Sequence, residues 1–165
     1  MADEILQADV ENSETLTEIV KGLLNSFPLL AKDDSFSFAT LGDKNSKAFY
    51  SESGALILRE RESITGYVKQ DCIYPFIVMN RSGITKEKRK IAIKDWLDLL
   101  GNYLSGQPIV VDNVTYQMEK PVLDSPLTFK KIERTTNTYM LEPENDNTED
   151  WVTCLQLNYT NEFWR

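Results

Sequence analysis

The 165-residue chain contains no histidine. That absence removes Ser-His-Asp and Cys-His nucleophilic systems and every imidazole metal site. The two cysteines, Cys72 and Cys154, stand far apart with no C-x-x-C spacing. They read as buried thiols rather than as a bridge or redox pair. Glycine is scarce, seven in all, and none belongs to a phosphate-cradling loop. No apolar run nears the roughly 20 residues that span a bilayer. The opening segment, MADEILQADVENSE, is acidic and lacks the basic and apolar regions of a secretory leader. The expectation is a soluble, intracellular chain with no membrane partner.

Positive charge is in the minority, with 18 Lys and Arg against 26 Asp and Glu, a formal net charge of −8. Phosphates are repelled overall, so direct sequence-specific binding of nucleic acid is not expected. The distribution is uneven. Residues 1–31 hold six acids and one base, and residues 142–150 hold five acids and no base. The interval from Arg81 to Lys94 reverses this, with six bases and one acid.

Length and an apolar fraction of 41% fit one domain over residues 1–165, with residues 1–12 expected to be frayed and 142–150 an acidic loop. Leu16, Ile19, Val20, Leu23, Leu24 and Phe27 recur with helical spacing and predict a helix over Ser13–Phe27, stopped by Pro28. Short strands are expected at Ser35–Thr40, Lys47–Tyr50 and Gly54–Leu58, with Arg59–Ser63 charged and exposed. The longest strand candidate is Gly66–Met79. Both its faces are apolar from Cys72 onward, so cover on both sides is expected. Pro75 inside it implies a bulge or an edge strand. Arg81-Ser82-Gly83 reads as a turn and Thr85 as the cap of a second helix to Leu104. Ile93, Trp96, Leu97, Leu100 and Leu104 form its stripe, and Lys94, Asp98 and Asn102 its opposite face. Strands follow at Ile109–Gln117, Leu127–Arg134, Thr138–Leu141 and Trp151–Tyr159. The order implies an α+β fold: a mainly antiparallel sheet with two helices packed on one face.

Little here carries chemistry. Asp71 and Asp112 are the carboxylates worth weighing; they read as a solvent-side strand residue and part of a turn. The acidic loop lacks the spacing and glycine of an EF-hand. No catalytic, cofactor-binding or metal-ligating residue is expected, and the chain reads as a non-enzyme. Interaction is better supported. Lys86, Lys88, Arg89 and Lys90 crowd a helix start, where the macrodipole favours anions instead. With Arg81 they make a candidate patch for an acidic surface. Phe163 and Trp164 sit near the chain end, where they complete the core or anchor a partner, core completion being the favoured reading.

The unit YPFIVMNRSG, a charged stretch, then IAIKDWLDLLGNYL resembles a family encoded by tailed bacteriophages and prophages of Gram-positive bacteria. Its members are called minor capsid or tail-completion proteins and look like tail terminators. The resemblance implies a non-enzymatic virion structural protein without cofactor. Such a protein forms a homo-oligomeric ring, commonly a hexamer, which caps the tail tube and meets the head connector. It would assemble in the host cytoplasm and then reside in the virion at the head–tail junction. The alternatives are a head-completion or minor capsid protein at the portal, and a soluble bacterial protein-binding domain.

Overall fold

The computed structural model describes residues 15–43, 45–53, 55–142 and 147–165. The expectation for residues 1–12, the first two residues of the expected first helix and the middle of the acidic loop lie outside this set. The fold is α+β. Helix α1 covers residues 15–25, and helix α2 runs over Glu87–Leu104. The strands are β1 (Phe36–Phe38), β2 (Ser46–Ser51), β3 (Leu56–Glu62), β4 (Tyr67–Gly83), β5 (Ile109–Val111), β6 (Val114–Tyr116), β7 (Leu127–Arg134), β8 (Tyr139–Met140) and β9 (Thr148–Trp164).

Two 17-residue strands, β4 and β9, form the spine. They pair antiparallel along their whole length, from Tyr67 against Trp164 to Gly83 against Thr148. Shorter strands share their outer edges. Strands β2 and β3 lie end to end along β4, and β8 and β7 do the same along β9. Strand β1 joins β2 in parallel, the one parallel pair among the described residues. Strands β5 and β6 make a separate hairpin. Its turn is Asp112-Asn113, both in the left-handed region at φ 50° and 64°, which suits a tight hairpin and these two residue types.

Alternation along β4 sets the core. Every even residue from Val68 to Ser82 is buried, and every odd one is half-buried. The even face meets α1 through Leu16, Val20, Leu24 and Phe27, and α2 through Leu97, Leu100 and Leu104. Met118 and Leu123, between β6 and β7, fill the same layer. Both helices therefore cover one face, as the α+β pattern implies. The expected cover on both faces is not found: Ile73, Ile77 and Met79 on the odd face remain only half-buried.

Pro75 lies neither in a bulge nor on an edge strand; β4 is central. Ser51 faces Phe76 and Leu56 faces Ile73, so Pro75 sits where β2 has ended and β3 has not begun. Its carbonyl accepts the Glu52 N–H at 3.2 Å on that side. The N and C=O of one strand residue leave the same edge, so the ring nitrogen faces a gap that asks for no donor.

Other boundaries also differ. Arg81-Ser82-Gly83 is the end of β4 rather than a turn, because Thr148–Asp150 extends β9 beside it. Arg59–Glu62 is exposed as expected, yet lies within β3. Polar cross-strand partners replace apolar ones there: Arg61 meets Asp71 at 3.5 Å and Gln70 donates to Glu60 at 2.8 Å. The Ile109–Gln117 segment folds back as the β5–β6 hairpin.

Candidate interaction site

Helix α2 begins without a side-chain cap. Its N-cap is Lys86, in extended conformation, and Thr85, the expected cap, instead donates its hydroxyl to Glu149 at 3.4 Å. The first turn therefore presents unsatisfied backbone N–H groups among cationic side chains. Lys86, Lys88 and Arg89 are exposed and make no ion pair among the described residues.

Between this helix start and the adjoining ends of β2 and β4 runs a trough of two adjacent cavities. One, of about 430 Å³, is walled by Lys47, Arg81, Arg89, Ile93 and Trp96. The other, of about 740 Å³, is walled by Ile84, Lys86, Lys88 and Arg89. Asn45, Arg89 and Ala92 border both. The first cavity is also lined by Asn80 and Ser82 from the buried face of β4, only 8% and 3% exposed. The Asn80 carboxamide makes no hydrogen bond among the described residues, and Ser82 Oγ has no partner. A buried side-chain oxygen such as Ser82 Oγ without a partner among the described residues is unusual, since such groups are nearly always satisfied.

The remaining cations are engaged inside the chain. Arg81 grips Asp150 with two bonds, Nε at 2.8 Å and Nη2 at 2.9 Å, and donates Nη1 to the Gly42 carbonyl at 3.1 Å. Lys90 reaches Glu149 at 3.2 Å, a carboxylate whose side chain is 5% exposed. Lys47 pairs with Asp34 and lies over the Trp96 ring, 5.2 Å from its centroid. The end of the acidic loop thus neutralises Arg81 and Lys90 within one molecule. Of the five cations singled out in the sequence, Lys86, Lys88 and Arg89 are left facing outward.

Trp96 forms the deep end of the trough. It is half-buried, edge-on to Phe27 at 5.2 Å and stacked with Phe36 at 6.1 Å, and its Nε1 donates to the Leu29 carbonyl at 3.3 Å. On the other flank of α2, Asp98 departs from the expected solvent face. It accepts from Lys94 at 2.7 Å, Thr138 at 2.7 Å and Arg134 at 3.1 Å, tying the helix to β7 and β8. Burial works to raise its carboxyl, but the bonds from Lys94 and Thr138 and the Arg134 charge prevail and lower it.

Phe163 and Trp164 lie at the opposite end of the sheet. Trp164 does not complete the core: it is 68% exposed and meets Tyr67 edge-on at 5.0 Å, on the odd face of β4. Phe163 is half-buried, with the Arg165 guanidinium 5.8 Å from its ring. Arg165 also pairs with Glu60 at 3.1 Å and Glu62 at 2.8 Å, fastening the end of β9 to β3. The sequence group is therefore split. Arg81 and Lys86–Lys90 gather at the Gly83 end of the β4–β9 ribbon, and Phe163 and Trp164 at the Tyr67 end. Sixteen strand steps separate them, roughly 50 Å.

Asn80 and Ser82 escaped the sequence reading because they were assigned outside or at the end of the strand. The even-position register of β4, carried four residues further, would have placed both inward. Asp71 sits half-buried against Arg61, and Asp112 in the hairpin turn; neither lines the trough. Among those residues no cluster of three metal-ligating side chains occurs, and no helix is long and apolar enough to cross a membrane. No protein-family model matches the chain, and no curated protein matches it either.

Proposed function

We propose that the chain is a virion structural protein of the head–tail junction, a tail-terminator subunit that assembles into a ring, caps the tail tube and meets the head connector. One observation carries the reading. The β4–β9 ribbon holds two unlike features at its poles, an outward-facing cationic trough and an exposed Trp164. If the unlike ends mate with one another, association is head to tail, and such contacts close into rings when the rotation allows. The resemblance of the Tyr74–Leu100 unit to tail-completion proteins supplies the place of such a ring. Exposed ion pairs contribute at most about 1 kcal/mol each, so the ring is weak alone and firm on a tube.

The test is charge reversal at Lys86, Lys88 and Arg89 together. Lys90 is left intact, since a glutamate there would face the nearly buried Glu149. The triple variant folds, because acids in a first turn suit the dipole. It fails to form rings and yields tails of uncontrolled length in electron micrographs. Normal-length, head-attached tails from this variant would dismiss the proposal.

A further inference from the structure

We propose that the trough is the receptor for the acidic residues 1–14 of a second copy of this chain. The assignment rests on the reading of the chain as a self-assembling subunit and names the segment that does the joining.

Asp34, a carboxylate that lines the first cavity, is already paired with Lys47. Lys86, Lys88 and Arg89 face outward without ion pairs among the described residues, and the Asn80 carboxamide opens on the same space without a hydrogen bond. Carboxylates satisfy both kinds of group. The chain's other acid-rich segment is already committed, through Glu149 to Lys90 and Asp150 to Arg81. Residues 1–14 carry Asp3, Glu4, Asp9, Glu11 and Glu14 and no base. Ile5, Leu6 and Val10 are interleaved with them, matching a trough whose walls also hold Ile93, Ala92 and the 63% exposed Ile84. Two adjacent cavities with shared walls suit an extended peptide better than a single small anion.

Helix α1 gives the direction from which the segment joins the molecule. Thr17 Oγ1 bonds the Tyr74 hydroxyl at 2.7 Å, and Asn25 holds the Phe36 backbone, its Oδ1 accepting the N–H at 2.7 Å. Phe36 lies beside Lys47, which faces Asn80. Helix α1 therefore runs from mid-β4 toward the trough, and the chain enters it from the Tyr67–Trp164 side. Extended, fourteen residues span up to about 46 Å, enough for the trough of a copy stacked on that pole and also for the chain's own, eight strand steps or roughly 26 Å from Tyr74; the choice of the neighbour rests on the self-assembling reading, and the mixing experiment decides it.

The experiment uses the full chain in three forms: the parent, an arm variant (Asp3→Asn, Glu4→Gln, Asp9→Asn, Glu11→Gln, Glu14→Gln) and a trough variant (Lys86→Glu, Lys88→Glu, Arg89→Glu). Sedimentation velocity reads association, and thermal melts check that all three fold alike. The parent associates, and raising salt from low to about 0.5 M weakens it about tenfold or more. Each variant alone is monomeric. Mixed, they form heterodimers that grow no further, because one supplies an arm and the other a trough. A synthetic peptide of residues 1–14 dissociates the parent. Association of the arm variant equal to the parent's overturns the proposal, as does a parent that is monomeric throughout. Monomeric mixtures overturn it too, by pointing to the chain's own trough. Rings that persist in the arm variant and still terminate tails sink this assignment and leave the head–tail reading standing. Arm-dependent association in a protein whose loss leaves tail length unchanged does the reverse.

Discussion

Gly101→Ala should destabilise the protein, although alanine is the better helix former. Gly101 is buried in α2, where Gly→Ala ordinarily gains about 1 kcal/mol. Here a Cβ would fall on Arg134 Cδ, with Cγ at 3.1 Å and Nε at 3.2 Å. The side chain cannot swing away at no cost, because its guanidinium is held by Asp98 at 3.1 Å and both partners are about three-quarters buried. Overpacking of this kind costs about 1–3 kcal/mol, so the net change is a loss of about 0–2 kcal/mol. Removing the obstacle should reverse the sign: in an Arg134→Ala background, Gly101→Ala should stabilise by about 1 kcal/mol. For a chain of this size each kcal/mol moves Tm by about 2–4 °C, well within reach of calorimetry or a urea titration. Coupling between contacting residues of about 1–3 kcal/mol is the expected reading of the cycle. A Gly101→Ala protein that melts higher than its parent by the same margin in both backgrounds would refute the argument and with it the close approach of α2 to β7.

Trp96→Ala should cost about 3 kcal/mol, the low end for a large aromatic because the ring is only half-buried; a midpoint within a degree or two of the parent would show that its packing on Phe27 and Phe36 matters little. Asp98 gives a pH signature. Its carboxyl is lower in the folded protein than in the unfolded chain, so its contribution is full above the unfolded value of about 4 and is lost as pH falls through the folded one. Asp98→Asn should be less stable at neutral pH and show a flatter acid limb; parallel limbs would disprove the linkage. Burial chiefly pushes the Cys72 thiol up, with the neighbouring Asp71 charge adding and a bond with Tyr159 opposing, so alkylation in the native state should be slow and accelerate with denaturant. Rapid native labelling of Cys72 at neutral pH would contradict this.

The parts of the fold that could be read from sequence were those with a periodic apolar stripe. The strand expected at Leu127–Arg134 is β7 to the residue, and α2 is capped one residue later than expected, at Lys86 rather than Thr85, and ends at the expected Leu104. Misreadings fell where polar side chains do the work of apolar ones. The expected strand stops at Leu58, short of Arg59–Glu62, because the partners of that charged stretch, Asp71 and Gln70, are distant in sequence. Arg81-Ser82-Gly83 looked like a turn because its partner strand begins in an acid-rich segment. The cationic cluster was legible as composition, but its division was not. Only the fold shows that Arg81 and Lys90 are neutralised internally while Lys86, Lys88 and Arg89 are not. The floor of the trough depended on how far β4 extends, and local pattern fixes strand ends poorly when the last residues are polar and a glycine.

The β4–β9 spine also bears on how the chain is made. Gly83 must find Thr148 and Tyr67 must find Trp164, with α2, the hairpin and β7 synthesised in between. Strands β2 and β3 can both pair with one edge of β4 early on the ribosome, but β4 then offers its other edge bare until β9 emerges. Such an edge is a template for other chains, and non-local pairing of this kind closes slowly. Nascent chains crowded on one messenger are therefore most exposed to mispairing in the interval between residue 83 and residue 164. Yield should respond to translation rate and to chaperones that shield strand edges before it responds to the stability of the finished fold.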